Sequence, residues 1–323
     1  MYFKEFNSLK GIAILLVLLG HSFILYPINL LDISWCKSTF DVIYSFHMPL
    51  FFIISGLLFA NSTHKEYASM IKGKVKRLLL PYAFYHALNL GLKVALPNLV
   101  NRKVDSWTEY GNSILLRGGE LWFLYVLFLL FLIWGFILPR ICKRKSFVLL
   151  LIGLFIITKL SQYVKLDDLF LYKEFLFYSC FFVSGYFIFP VYNKIRCIVK
   201  SRIDKFLLLS IVCFIFIHSM NVVNLKFLSA LIGIAMSLCF AFKVENIRWL
   251  NSFLDYCGRN SLQFYFFNGF MLVISRVLVV RILNITNAFL IVLFVFLMCV
   301  ITEVICIEVS KRLPLIKQCV GFK

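Results

Sequence analysis

The sequence is poor in charged residues, and in acidic residues above all. Only 15% of the 323 residues are charged and only 15 are Asp or Glu, whereas about 25% charged residues is usual in a soluble domain. Hydrophobic residues make up 62% of the chain, and so few polar side chains cannot cover a water-exposed surface. The composition therefore excludes a soluble globular enzyme, a disordered tail and a fibrous repeat, and it indicates a polytopic membrane protein.

Other features are missing as well. The ten cysteines form no CxxC pair, so we predict neither a zinc site, nor another metal site, nor a disulfide framework. No cleavage site of small residues follows the first apolar stretch, which we expect to be an uncleaved membrane span. Because no repeat, low-complexity segment or domain boundary is visible, residues 1–323 are expected to form a single domain.

Ten segments are apolar over about the 20 residues that an α-helix needs to cross a bilayer. The predicted fold class is therefore all-α, a polytopic membrane bundle of about ten transmembrane helices. The segments are 11–30, 41–60, 78–97, 121–139, 147–164, 173–191, 206–222, 226–242, 262–283 and 287–309.

Basic residues are unevenly distributed among the loops. The chain has 34 Lys and Arg and a net charge of +19. With ten spans and a cytoplasmic N-terminus, 23 basic residues fall in cytoplasmic segments and eight in outer ones, which is the asymmetry that orients membrane proteins. Both termini are thus predicted to be cytoplasmic, and the positive charge is assigned to topology and anionic headgroups rather than to nucleic acid.

A polar stripe runs along the first span. Lys10 and His21 are eleven residues apart, within about 20° of three full helical turns, so they share one face about 16 Å apart along the axis. An imidazole near the middle of the membrane is a candidate base at neutral pH. The alternative is a histidine that packs against a neighbouring helix.

The second span and the loop after it carry further candidates. His47 precedes Pro49, which removes a backbone donor and predicts a kink or local opening, and Ser55-Gly56 permits close helix packing. The densest basic run, 72–77, is predicted to face the cytoplasm. It either contacts lipid or holds the phosphates of a donor such as coenzyme A.

Polar residues also mark the entrances of two later spans. Trp122 is an interfacial anchor or a substrate contact, and Glu120 is either solvated or lines an external cavity. Asn260 and Asn268 belong to a polar run that exceeds the needs of helix capping. Five other charged residues near span ends are mostly assigned to snorkelling. They are Lys93, Lys159, Arg276, Glu303 and Glu308.

Two of these segments resemble the signatures of the integral-membrane acyltransferase type 3 family. The run KGIAILLVLLGHS at 10–22 resembles its first-helix signature, and FHMPLFFIISG at 46–56 resembles its second. The runs LWFL at 121–124 and GRNSL at 258–262 resemble two weaker later motifs. The resemblance extends over about residues 7–270.

The resemblance implies a bacterial, multi-pass inner-membrane enzyme that transfers an acyl group, usually acetyl, from acyl-CoA. The acceptors it implies are sugar hydroxyls of O-antigen, capsule, exopolysaccharide or lipid-linked glycans, with no metal required. The essential histidine of the family maps onto His21, and its basic partner maps onto Lys10. Two positions depart from the pattern, because Asn7 stands where Asp is frequent and Asn268 where His is common.

Each candidate then has an expected role in acyl transfer. His21 deprotonates the sugar hydroxyl or carries the acyl group covalently, and His47 orients the acceptor or stabilises the oxyanion. The donor phosphates are assigned to Lys10, Lys74 and Arg77, and the sugar to Trp122, Glu120, Asn260 and Asn268. A glycan transporter or flippase, and a non-catalytic membrane scaffold, are the alternative functions.

Overall fold

The computed structural model describes residues 3–24, 29–62, 66–95, 106–141, 144–164, 169–219 and 225–322. Within these ranges the chain is built of helices and contains no strand. The α-helices are α1 Lys4–Phe23, α2 Ser34–Ala60, α3 Tyr67–Lys74, α4 Leu80–Ala95, α5 Trp107–Leu115, α6 Trp122–Ile137, α7 Arg144–Ser161, α8 Tyr172–Ile188, α9 Tyr192–Ser201, α10 Ile203–Ser219, α11 Lys226–Val244, α12 Arg248–Arg259, α13 Ser261–Val277, α14 Ala288–Arg312 and α15 Pro314–Cys319.

Seven helical stretches of the described residues are long and apolar enough to cross a membrane. They are Lys4–Phe23, Ser34–Ala60, Trp122–Arg140, Tyr172–Ser201, Lys226–Val244, Ser261–Ile282 and Ala288–Arg312. The predicted all-α polytopic membrane bundle is confirmed. The other three predicted spans fall on α4, α7 and α10, so the count of ten and the side of the termini stay predictions. Parts of three predicted spans, at 25–28, 96–97 and 220–222, lie outside the described residues.

The chain divides into two compact units. The first comprises Met1–Ile54 and Ile188–Val309, and the second comprises Ser55–Phe187 and Ser310–Lys323. Helix α2 contributes residues to both and continues as an α-helix through Pro49. The single domain over residues 1–323 stays a prediction.

In the first unit, α1 packs against α11, α12 and α13. Two glycines bring α1 and α12 into backbone contact. A Cβ atom on Gly11 would lie 2.1 Å from the carbonyl oxygen of Leu254, and one on Gly258 would lie 1.8 Å from that of Asn7. Because any larger residue would push the helices apart, these glycines set the separation of α1 and α12.

Hydrogen bonds across the same contact fix the rotation of α1 about its axis. The side chain of Asn7 donates to Asp255 at 2.9 Å, and the hydroxyl of Ser8 donates to Asn251 at 3.0 Å. These bonds hold the face of α1 that carries Lys10, one turn after Asn7. The rotation of α1 thereby also sets the direction in which His21 projects.

Replacing Gly258 with alanine is expected to destabilise the protein by about 1–3 kcal/mol, because the new methyl group overpacks the contact between α1 and α12. The thermal midpoint of the detergent-solubilised protein, measured by size-exclusion chromatography after heating, tests this. Gly153→Ala in α7 is the matched control, because a Cβ there meets nothing within 4 Å. A midpoint for Gly258→Ala as high as that of the control would contradict the packing account.

In the second unit, α6 packs against α3 and the π-helical turn Val75–Leu79. A Cβ atom on Gly56 would lie 2.0 Å from the carbonyl oxygen of Phe182 in α8, so the predicted close packing at Ser55-Gly56 is confirmed. The ring of Phe59 contacts those of Phe131 and Phe182. These rings form an aromatic core between α2, α6 and α8.

Candidate active site

His21 lies in the last turn of α1 and contacts α13 through a hydrogen bond. Its Nδ1 is 2.7 Å from Oδ1 of Asn268. Because an amide oxygen only accepts hydrogen bonds, Nδ1–H is the donor, and Nε2 of the neutral ring keeps its lone pair. The imidazole is half-buried, and its Nε2 is therefore positioned as a base.

Glu303 of α14 fixes the orientation of the Asn268 amide. Nδ2 of Asn268 donates to Oε1 of Glu303 at 3.2 Å. A carboxylate accepts, so the amide nitrogen faces Glu303 and the amide oxygen faces His21. The thiol of Cys299, one turn earlier on α14, donates to the same Oε1 at 3.0 Å. Glu303, Asn268 and His21 form one hydrogen-bonded chain, called here the His21 triad.

The snorkelling interpretation is wrong for Glu303 and Arg276. Both residues are 0% exposed, and Arg276 donates to the backbone carbonyl of Ile24. Glu303 lies nine residues before the end of α14, which is too deep for its side chain to follow the helix to water. A buried carboxylate in a membrane helix is costly, and the bond from Asn268 gives it a defined partner.

His47 belongs to the same unit and is 3% exposed. Its Nδ1 donates to the carbonyl of Ile43 at 2.7 Å, which leaves Nε2 of the neutral ring as an acceptor. The ring centroid of Tyr44 is 4.7 Å from that of His47 and 6.4 Å from that of His21. A Cβ atom on Gly20 would lie 2.8 Å from Tyr44, so glycine before His21 makes room for this ring.

Two other candidates of the first unit lie on α1 and at the junction of α12 and α13. Lys10 and His21 lie on one uninterrupted helix, which places them on a common face, as predicted. Asn260 is 7% exposed, and its Nδ2 donates to the carbonyl of Tyr256 at 2.9 Å. This bond closes the end of α12, and a contact of Asn260 with sugar stays a prediction.

The predicted basic pair belongs to the second unit. The ammonium group of Lys74 lies 3.4 Å from the ring centroid of Phe131 in α6, a cation–π contact. Arg77 is exposed and lies in the π-helical turn Val75–Leu79. Lys74 is thus directed toward α6, whereas Arg77 is open to solvent or ligand.

Glu120 and Trp122 flank the start of α6 in the second unit. The carboxylate of Glu120 accepts from the hydroxyl of Tyr85 at 2.6 Å and from Lys93 at 3.3 Å. Partial burial alone would raise the pKa of Glu120, but its hydrogen bonds with Tyr85, Asn89 and Lys93 and the charge of Lys93 bring the pKa below its ordinary value. The ring of Trp122 stacks on that of Tyr178, with centroids 5.7 Å apart and planes at 28°.

Two residues of the first unit escaped the sequence prediction. Glu303 follows fifteen residues of α14 that carry no charge, and that isolation within an apolar run is the signal of a buried acid. Tyr44 lies three residues before His47 and therefore on the same side of α2. Among the described residues, no group of three or more His, Cys, Asp or Glu side chains is arranged to hold a metal ion.

Comparison with known families identifies the chain. The model of the type 3 acyltransferase family, described as an acyltransferase domain, matches residues 3–307. The chain belongs to this family. The match includes residues of both units and all members of the His21 triad.

Similarity to curated proteins is confined to part of the chain. It is 31% identical over 132 residues to nodulation protein NolL of Mesorhizobium japonicum, a match of 40% of this chain and 34% of that protein. It is also 31% identical over 129 residues to nodulation protein NolL of Sinorhizobium fredii, with the same shares. The chain spans about a third of the length of these relatives. No solved structure matches it.

Proposed function

We propose that this protein transfers an acyl group, in the first instance acetyl, from acyl-CoA to a hydroxyl group of a glycan. Membership of the acyltransferase family supplies the reaction class. The observation that carries the proposal is the His21 triad, which holds a half-buried imidazole in one tautomer inside a membrane helix bundle. Acyl transfer to an alcohol requires such a base, whereas transport of a glycan does not.

In the proposed reaction, Nε2 of His21 takes the proton of the sugar hydroxyl while its oxygen attacks the thioester carbonyl. The tetrahedral intermediate then collapses, its carbon–sulfur bond breaks, and the thiolate of coenzyme A receives that proton from the imidazolium. The products are a sugar ester and the free thiol. Asn268 accepts from Nδ1–H throughout, and Glu303 holds the amide of Asn268 in the orientation that this bond requires.

The remaining candidates receive roles that suit their chemistry. Since Nδ1 of His47 donates to Ile43, neutral His47 presents an acceptor, which suits orienting a sugar hydroxyl better than stabilising an oxyanion. The phosphates of the donor are assigned to Lys10, Lys74 and Arg77, and further sugar contacts to Trp122 and Asn260. The proposed site of action is the inner membrane of a bacterium, with a surface or lipid-linked glycan as acceptor.

Membrane vesicles that contain the protein provide a direct test. They are supplied with acetyl-CoA labelled in the acetyl group and with the surface glycan of a strain that lacks the gene. The proposal predicts label in the glycan fraction that mild alkali releases, as expected of an ester. A transporter would leave the labelled acetyl-CoA unconsumed, and a glycan without label would contradict the proposal.

The paired substitution Lys74→Ala and Arg77→Ala is expected to raise the KM for acetyl-CoA about tenfold, because two charge-assisted contacts to phosphate are lost. The kcat is expected to change little, since uniform binding is removed. Initial rates in the vesicle assay measure both constants. The control pair Lys72→Ala and Lys76→Ala removes the same charge from exposed positions of the same run. Equal KM values for the two pairs would contradict the donor assignment.

A further inference from the structure

A second polar cluster lies in the second unit, on one face of α4. Tyr85, Asn89 and Lys93 recur every four residues along this helix, and His86 is beside the first of them. Glu120 reaches the cluster from the turn before α6 through its bonds to Tyr85 and Lys93. These five residues are called here the α4 cluster.

Two glycines place Glu120 on α4. Gly118 and Gly119 both have positive φ angles, +69° and +53°, a conformation that glycine adopts without strain. A Cβ atom on Gly119 would lie 2.4 Å from the imidazole of His86, so the backbone passes directly over this ring. The two glycines therefore hold the carboxylate of Glu120 in a defined position against α4.

The side chain of Glu120 is accessible at the surface of the second unit. It is 51% exposed, although it bonds to Tyr85 and Lys93. A carboxylate that is fixed in direction and still accessible is suited to recognising hydroxyl groups.

His86 supplies an independent observation. The residue is 5% exposed, and its buried Nε2 has no hydrogen-bond partner among the described residues. Buried polar atoms normally have a partner, and this one lies beside the backbone of Gly119, the residue before Glu120. A polar atom without a protein partner at this point indicates that the cluster binds a polar molecule.

Charge and aromatic content narrow the chemical class of that molecule. Glu120 and Lys93 offset each other, which favours neither a phosphate nor a free cation. The ring of Tyr82 contacts His86 at 4.5 Å, and the ring of Tyr110 lies 5.2 Å from the Lys93 ammonium. Donors, acceptors and aromatic rings without net charge match a neutral polyhydroxyl compound.

We propose that the α4 cluster is a binding subsite for the sugar acceptor, in which Glu120 and Lys93 bond hydroxyl groups of the glycan and Nε2 of His86 supplies a further polar contact. This inference rests on the proposed function, because it gives that function's acceptor a place on the chain. The distribution of basic residues predicts that this end of α4 faces outward, away from the loops assigned to the donor phosphates.

Glu120→Gln tests the subsite in the vesicle assay, with the surface glycan of the gene-deleted strain as the titrated acceptor. The substitution is expected to raise the KM for the glycan about tenfold, because charge-assisted bonds to its hydroxyls weaken. The KM for acetyl-CoA and the kcat are expected to stay within about twofold. Glu109→Gln, at an exposed acid of α5, is the matched control.

The outcomes separate the subsite from the proposed function. An unchanged glycan KM in Glu120→Gln, with an active wild type, overturns the subsite and leaves acyl transfer standing. A wild type without transfer to the glycan overturns the proposed function itself. Should Glu120→Gln fail to fold, Tyr85→Phe removes only the hydroxyl that orients Glu120 and is expected to raise the glycan KM about threefold. An unchanged glycan KM there overturns the subsite equally.

Discussion

Replacing His21 with alanine is expected to lower the rate of acyl transfer by about 10²–10⁴-fold, the usual contribution of a general base. The loss should lie in kcat, because the imidazole acts on the hydroxyl proton in the transition state. Initial rates with labelled acetyl-CoA and the glycan from the gene-deleted strain measure it. Equal amounts of protein in the membranes are confirmed by immunoblot.

His218→Ala is the matched control for this experiment. His218 is also a half-buried histidine in an apolar helix, but its ring bonds to the carbonyl of Phe214 and to the hydroxyl of Ser229. These contacts are those of a packing residue, so its removal should leave the rate within about twofold. Comparable losses in His21→Ala and His218→Ala would show that His21 also has only a packing role.

Glu303→Gln is expected to lower kcat by about 10²–10³-fold, with little change in either KM. The carboxylate of Glu303 accepts a hydrogen bond from the amide nitrogen of Asn268. The amide oxygen of Asn268 therefore faces His21 and accepts from its Nδ1–H. Glutamine carries both a donor and an acceptor, so the amide of Asn268 can turn and Nδ1 loses its acceptor. The neutral imidazole can then adopt the tautomer with its hydrogen on Nε2, and this is the atom that must act as the base.

Two further variants separate this role from a structural one. Glu308→Gln changes the next acid of α14, whose carboxylate accepts from Tyr256, and should retain the activity of the wild type. Adding Asn268→Asp to Glu303→Gln exchanges the acid and the amide, so that a carboxylate, in place of the wild-type amide oxygen, accepts from Nδ1–H of His21. We expect the kcat of this double variant to be at least tenfold higher than that of Glu303→Gln. A double variant no better than Glu303→Gln would contradict the orienting role.

The helical spacing of the first span made much of the site predictable. A period of 3.6 residues is sufficient to place Lys10 and His21 on one face, and a single helix carries both residues. The sequence predicts that Asn268 contacts the sugar, and that contact stays a prediction. The bonds of Asn268 to His21 and Glu303 could not be predicted, because α1, α13 and α14 meet through contacts that no local pattern specifies.

The residues that escaped prediction are those whose role depends on tertiary packing. The sequence predicts that Glu303 lies near the end of its span. The depth of a residue in its helix depends on where the helix ends, and α14 continues to Arg312. His86 gave no signal, since a single histidine beside tyrosines is compatible with any amphipathic helix. Only the passage of Gly119 over its ring reveals the α4 cluster. Gly258 belongs to the run at 258–262 that resembles a family motif, and the structure shows that it sets the distance between α1 and α12.

The central claim is that this protein acylates a glycan with His21 as the base. The most direct measurement is mass spectrometry of the surface glycans of the host strain, its gene deletion, and the deletion complemented with either wild type or His21→Ala. The account predicts an acetyl-sized mass on the glycan of the first and third strains and its absence from the other two. An unchanged acyl pattern in the His21→Ala strain would contradict the role of His21, and loss of the entire glycan on deletion would point to transport or assembly instead.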